Sequence, residues 1–220
     1  LKVTTRLGRF EYVNLVTSFQ NLDSDSLLNA PYIWYHGYQK KGGTFNYLSV
    51  HLTEWLDAGL FEGILWTSRG LREGGFNINQ YLPVIFVNTL RYGLFGENNA
   101  VIGADVQARL LKNLRLYGQF ALDDLHVKKP VSGSAYQKTK IGYQLGLKYF
   151  DVAGIRNLHL QAEYNEVRPY TYGHPNVLQS YTHYNQALAH PLGGNFREGL
   201  GFLNYRYRRW QTSLQYMHAV

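Results

Sequence analysis

The sequence contains no cysteine and only one methionine. Without thiols the chain cannot form a disulfide, a zinc–thiolate centre or a thiol-based active site. Long hydrophobic runs are also missing, since no segment approaches the roughly 20 apolar residues that a membrane-spanning helix needs. Charged residues make up only 17% of the chain. These absences together argue against a helix-rich soluble domain and against helical membrane spans.

Tyrosine and glycine are abundant instead, with 19 and 22 residues among the 220. Aromatic residues fit the pleated surface of a β-sheet, so this composition favours β-structure. The mean hydropathy of -0.31 is mildly hydrophilic. A membrane β-barrel is compatible with that value, because its strands alternate between apolar and polar residues and average out.

Alternation with a period of two is the dominant pattern, and it predicts β-strands. Between positions 101 and 110 one face is apolar, whereas the other carries Asp105, Gln107 and Arg109. The pattern predicts about ten strands, at roughly 7–20, 31–39, 44–53, 58–67, 98–110, 113–124, 137–150, 157–169, 196–208 and 210–220. Several of these match the nine to eleven residues of a tilted strand that crosses a bilayer.

The predicted connections alternate in length. They are short at 54–57, 111–112, 151–156 and 208–209, and long at 68–97, 125–136 and 170–195. An up-and-down membrane barrel has tight turns on one side and long loops on the other, whereas a Greek-key sandwich has no reason to keep this rhythm. We therefore predict an all-β fold, a transmembrane up-and-down antiparallel β-barrel. A large soluble β-sandwich or barrel is the alternative.

The same rhythm predicts that residues 1–220 form a single outer-membrane β-barrel region that is incomplete at both ends. If the long loops face outward, both chain ends lie on the outer side, whereas bacterial barrels start and finish in the periplasm. We therefore expect this chain to be part of a larger barrel.

The stretch 168–197 neither alternates nor is hydrophobic, and its prolines and paired glycines predict a shaped loop. Aromatic rings stack on the apolar faces of sugars, amides bond the hydroxyls, and arginine recognises acidic groups in bidentate fashion. A structural loop that satisfies its own polar groups is the alternative. The candidate polysaccharide-binding residues are Arg168, Tyr170, Tyr172, Tyr181, His183, Tyr184, Asn185, Gln186, His190, Asn195 and Arg197.

Metal binding is not expected in this stretch. His174, His183 and His190 are separated by nine and seven residues, a spacing with no recognised ligand geometry, and the loop has no carboxylate. We predict neither a metal nor any other cofactor.

Catalysis is not expected either. Adjacent Asp123 and Asp124 point to opposite faces of a strand, and Glu163 and Glu166 also differ in parity. Neither pair can act together on a glycosidic bond. We predict that the protein is not an enzyme.

The chain has a formal net charge of +7, which suits acidic glycans or lipopolysaccharide. Arg69 and Arg72, in the glycine-rich segment 68–75, are further candidates for such contacts, although a solvated loop explains them as well. Nucleic acid is not an expected partner, because the basic residues do not cluster on a helix face or a known motif.

Four segments carry a resemblance to a known family: HLTEWLDAGLFEGILW (51–66), ENNAVIGADVQARLLKNLRLYGQFALDD (97–124), AEYNEVRPYTY (162–172) and YTHYNQALAHPLGGNF (181–196). They are similar to the Wzi-type capsule assembly family, in particular to its Bacteroidetes branch, which includes gliding-motility RemB-like proteins. The resemblance implies an outer-membrane β-barrel and a surface lectin that anchors capsular polysaccharide. It does not extend to residues 1–43.

These observations predict a non-catalytic barrel of a Gram-negative outer membrane that binds or organises surface polysaccharide. Its expected partners are outer-membrane lipid, lipopolysaccharide and the polysaccharide itself. The alternative is a structural barrel subunit of a secretion, adhesion or gliding assembly, with other outer-membrane proteins as partners. A transport channel is a third possibility and would need an open lumen.

Overall fold

The chain folds around one ten-stranded antiparallel β-sheet in a computed structural model. The structure describes residues 1–21, 39–67, 82–94, 98–123 and 140–220. Successive long strands are neighbours in the sheet, so the topology is an up-and-down meander, and two short strands form a separate hairpin. The strands are β1 (Lys2–Leu7), β2 (Phe10–Asn21), β3 (Gln39–His51), β4 (Leu56–Thr67), β5 (Asn99–Arg109), β6 (Leu114–Asp123), β7 (Lys140–Phe150), β8 (Leu158–Val167), β9 (Thr182–His183), β10 (Gln186–Ala187), β11 (Phe196–Tyr207) and β12 (Trp210–Ala219).

The predicted all-β, up-and-down antiparallel architecture is confirmed. Strands β4 to β8, β11 and β12 agree with the prediction to within about three residues at each end. Short connections at 8–9, 52–55, 110–113, 151–157 and 208–209 alternate with long ones, as expected. The sheet is open rather than closed, because β1 and β12 each pair with a single neighbour within the described sheet.

Three predicted strands need correction or cannot be compared. The predicted strand 7–20 corresponds to β2, which begins three residues later because a tight turn, in which Gly8 has a φ of 57°, precedes it; β1, before this turn, was not predicted. The predicted strand 31–39 lies outside the described residues except for Gln39, which begins β3. The predicted strand 44–53 begins five residues earlier, because Gly42 and Gly43 continue the ladder with β2 and β4.

The sheet has two chemically different faces. One row of paired residues runs Phe61, Gly103, Ala121, Gly142, Val167 and Phe196. The connection 168–195, which we call the tyrosine loop, packs against this side, which we call the loop face. The opposite side, the apolar face, exposes large hydrophobic side chains at Leu60, Val106, Leu116, Phe120, Leu145, Leu203 and Leu214.

A second segment, residues 82–94, lies on the apolar face of the first strands and is called the cover segment. The Tyr12 hydroxyl donates to the Pro83 carbonyl over 3.0 Å, and Thr89 donates to the buried Glu62 carboxylate. Within the described ranges, helix is limited to a short segment at 87–94, π-helical over Thr89–Leu94, and to 3-10 turns at Val152–Gly154 and Val177–Gln179. None of these is long and apolar enough to span a bilayer.

Candidate functional site

Tyr181 anchors the tyrosine loop to the sheet. Its ring packs in a buried cluster with Leu65, Val101 and Ala121, and only 6% of the residue is exposed. The hydroxyl donates to the Gly63 carbonyl oxygen over 2.7 Å. Because the side chain is buried, the pKa of the hydroxyl lies well above its usual value. Tyr181 therefore holds the loop in place and is not accessible to an external sugar.

Polar side chains at the ends of the strands hold the loop backbone. The buried Asp123 carboxylate accepts a hydrogen bond from the Tyr172 backbone N–H over 2.5 Å. Burial, together with the nearby Asp123 charge, raises the pKa of the Tyr172 hydroxyl to about 12. Three further side chains donate to loop carbonyls: Lys41 Nζ to Ser180 (2.6 Å), Lys140 Nζ to Gly173 (3.1 Å) and Asn99 Nδ2 to Gln179 (2.9 Å). The loop is thus bonded to the sheet along much of its length.

The loop histidines also make contacts within the protein. His183 Nδ1 accepts a hydrogen bond from the Gln20 backbone N–H over 3.1 Å, and its ring lies 5.6 Å from the Phe19 ring. His190 stacks on Phe196 at 4.4 Å, and its Nε2 lies 3.2 Å from the Glu198 carboxylate. These contacts place the two imidazoles at different ends of the loop.

His174 Nδ1 accepts from the Asn176 backbone N–H over 3.1 Å. No group of three or more histidine and acidic side chains in the described part of the chain is arranged to hold a metal ion.

The remaining predicted site residues are exposed and fall at two places. Arg168, Tyr170 and Asn195 lie where the loop leaves β8 and enters β11, and Tyr170 is 64% exposed. Arg197 follows at the start of β11, where its Nε lies 3.4 Å from the Glu166 carboxylate. This group could contact a ligand from outside.

The second exposed place is the β9–β10 hairpin, which rests on the end of β2. The Tyr184 backbone N–H donates to the Gln20 carbonyl over 2.8 Å, whereas 40% of the residue is exposed. Asn185 and Gln186 beside it are also exposed. Tyr184 and Asn185 have φ values of 48° and 60°. Positive φ at both central residues is what a two-residue type I′ hairpin turn requires, so the hairpin itself accounts for these conformations.

The eleven predicted residues therefore separate into two groups. Anchors that face the sheet are Tyr172, Tyr181, His183 and His190. Exposed residues are Arg168, Tyr170, Tyr184, Asn185, Gln186, Asn195 and Arg197. The structure brings the second group together only in part, because the hairpin and the strand ends are separate surfaces of the loop.

A cavity of about 290 Å³ lies between the tyrosine loop and the loop face. Its walls include Phe45, Phe61 and Val101 from the sheet, and Tyr181 and Leu188 from the loop. The cavity is mainly apolar and is roofed by the anchors of the loop.

A second cavity, of about 410 Å³, lies lower on the loop face, towards the short connections. We call it the polar cavity; it shares Phe61, Gln119 and Gln144 with the first one. Sequence reasoning missed it because its residues come from five strands. The sequence signal that could have predicted this cavity is the alternation that places Arg115, Tyr117 and Gln119 on one face of β6.

The carboxylates considered for catalysis are kept apart, as their parity predicts. Glu163 faces the loop side and is bonded by Tyr117, whereas Glu166 on the other face is bonded by Tyr143 and Tyr164. Asp123 is buried against the tyrosine loop, and Asp124 lies outside the described residues, as do Arg69 and Arg72.

Comparison of the chain with protein-family models, curated proteins and solved structures found no match. The resemblance to the Wzi-type family therefore rests on the sequence motifs alone.

Proposed function

We propose that this chain is a region of an outer-membrane β-barrel that binds or organises surface polysaccharide without catalysis. The observation that carries the proposal is the contrast between the two faces of one sheet. The apolar face exposes a broad surface of leucine, valine and aromatic side chains, and Leu145 is 59% exposed there. An exposed apolar surface of this kind matches a lipid environment, whereas the polar and loop-filled opposite face suits a barrel interior.

The exposed residues of the tyrosine loop are the proposed contact with the glycan. Tyr170 and Tyr184 offer aromatic faces for the C–H surfaces of sugars, and Asn185, Gln186 and Asn195 offer amides for their hydroxyls. The anchors hold this surface still, which lowers the entropy lost on binding.

Glycan-array binding of the detergent-solubilised protein tests this proposal. The Tyr184→Ala variant should bind capsular polysaccharides at least tenfold more weakly than the unchanged protein. Tyr207→Ala is the matched control, because Tyr207 is also an exposed tyrosine but lies at the short-connection edge, beside Arg208. Equal loss in both variants, or none in either, would remove the site assignment. A protein that stays soluble and folded without detergent would remove the membrane assignment.

The alternative function is a barrel subunit of a secretion, adhesion or gliding assembly. One observation favours it: the cover segment turns Val84, Val87 and Leu90 outward, and each is at least 37% exposed. Such an apolar projection suits a protein partner within the membrane. Co-purification of a stable complex in mild detergent, lost on Leu90→Asp, would support this role, and recovery of the isolated protein would count against it.

A further inference from the structure

The polar cavity is lined by charged side chains that project from the loop face of the sheet. Among the described residues of its lining, Arg115 from β6 and Lys148 from β7 are the cations, and Asp105 from β5 is the carboxylate. Its volume of about 410 Å³ lies within the roughly 300–1,000 Å³ typical of small-ligand sites. The lining therefore has both the room and a surplus of positive charge for an anionic ligand.

Neither cation is neutralised by an acidic side chain in the part of the chain that the structure describes. The Arg115 guanidinium lies over the Phe150 ring at 5.6 Å, and the Lys148 ammonium lies over the Tyr117 ring at 5.4 Å. Cation–π contacts of this kind orient a cation but leave its N–H donors free. Both side chains can therefore donate to an anion in the cavity.

The carboxylates nearby are occupied by other donors. Glu163 accepts from the hydroxyl of Tyr117 and from the amides of Gln144 (3.4 Å) and Gln161 (2.6 Å). Asp105 accepts from the Tyr47 hydroxyl over 3.2 Å. These hydrogen bonds engage the carboxylate oxygens, and neither carboxylate forms an ion pair with Arg115 or Lys148 in the described part of the chain.

Amide groups and aromatic rings complete the lining. The side-chain amides of Gln107 and Gln119 lie in the lining, where they can bond hydroxyls. The Tyr117 ring lies flat against the sheet because position 146 is glycine, where a Cβ would overlap with the ring. Phe61 lies on Gly103 for the same reason. The rings thus form apolar walls without filling the cavity.

We propose that the polar cavity binds an acidic sugar unit, a uronic acid, of the polysaccharide. Arg115 and Lys148 bind the sugar carboxylate, Gln107 and Gln119 bond the hydroxyls, and Tyr117 and Phe61 contact the apolar C–H surface. Arginine is suited to a carboxylate because its planar N–H groups can donate two parallel hydrogen bonds. This inference rests on the proposed polysaccharide binding and adds a second, internal contact with a stated chemical class.

Calorimetric titration of the full chain in detergent tests the cavity directly. Digalacturonic acid is the probe, and a neutral digalactose and inorganic phosphate are the comparison ligands. We expect digalacturonic acid to bind at least tenfold more tightly than either one. Arg115→Gln and Lys148→Gln should each lower its affinity about five- to tenfold, whereas Arg156→Gln, in the exposed turn after β7, should leave the affinity unchanged.

Two results would overturn the inference. Phosphate binding as tightly as digalacturonic acid would show a simple anion site, and unchanged affinity in both cavity variants would place the sugar elsewhere. The experiments can reject sugar binding in the cavity without rejecting the proposed function. Long polysaccharide that binds normally to Arg115→Gln and Lys148→Gln, but not to Tyr184→Ala, would leave only the loop surface standing.

Discussion

The tyrosine loop and the cover segment pack on opposite faces of the same sheet and are held there by different kinds of contact. The tyrosine loop turns the aromatic ring of Tyr181 inward and leaves Tyr184 and polar groups exposed. The cover segment is held by a polar contact instead: Thr89 donates to the buried Glu62, and Val87 and Leu90 are exposed. The proposed membrane location predicts water on the loop side of the sheet and an apolar environment on the other side.

Beneath the cover segment, a chain of buried polar groups replaces the usual apolar packing. Asn14 Nδ2 donates to Asn46 Oδ1 over 2.8 Å, and Asn46 Nδ2 donates to Glu62 Oε1 over 2.7 Å. Thr89 completes the series by donating to the other Glu62 oxygen. Buried polar networks are stable only when their members are satisfied, so the cover segment and this network depend on each other.

The largest effect is expected at the anchor of the tyrosine loop. Tyr181→Ala removes a fully packed ring and should lower the free energy of unfolding by about 3–5 kcal/mol. Tyr181→Phe, which loses only the bond to Gly63, should cost about 1 kcal/mol. Denaturant unfolding in detergent measures both, and hydrogen exchange reports release of the loop. An Ala variant as stable as the Phe variant would mean that the ring is not an anchor.

Adjacent residues of β7 lie on opposite faces of the sheet, so arginine substitutions at each can compare the environments of the two faces. Leu145→Arg on the apolar face should lower the free energy of unfolding in a bilayer by about 2–4 kcal/mol, the cost of a cation within lipid. Gln144→Arg, on the loop face, should cost much less because the side chain meets water and Glu163. If the apolar face met water, the Leu145 variant would change stability by only about 0.5 kcal/mol.

Removal of Glu62 tests the cover segment. Glu62→Ala leaves the donors of Asn46 and Thr89 without their acceptor and should cost about 1–3 kcal/mol. Protease cleavage within residues 82–94 should accelerate, since the segment loses a bond to the sheet. Glu54→Ala, in the exposed turn between β3 and β4, is the control and should change neither quantity. Equal cleavage in both variants would contradict the mutual dependence.

The smallest effect is seen only in alkali. The pKa of Tyr172 rises from 10.0 to about 12 in the folded protein. Because the folded state holds this proton more tightly, its stabilising effect is complete below pH 10 and is lost as the pH rises towards about 12. The free energy of unfolding, measured across this interval, should fall less steeply in Tyr172→Phe. An equally steep fall in both proteins would show that burial does not raise the pKa of the Tyr172 hydroxyl.

The strands and their rhythm were predictable because a period of two is a local property of the sequence. The turn at Gly8 and Arg9 was not predicted, although a two-residue turn that contains glycine is a common hairpin signature. The roles of the loop residues were not predictable, because Tyr181 and Tyr184 are the same amino acid three positions apart. What makes one an anchor is contact with Leu65, Val101 and Ala121, which lie in distant parts of the chain. The polar cavity and the hydrogen bond between Thr89 and Glu62 were not predictable for the same reason, because their residues are also far apart in the sequence.

The proposed membrane location requires the two faces of the sheet to meet different solvents, and the absence of cysteine allows single labels to test this directly. Single cysteines introduced as Phe120→Cys and Gln119→Cys place spin labels on opposite faces of β6. In lipid nanodiscs, the label at position 120 should be relaxed by oxygen and shielded from a water-soluble nickel complex, and the label at 119 should show the reverse. Equal access of the nickel complex to both labels would contradict the proposed membrane location.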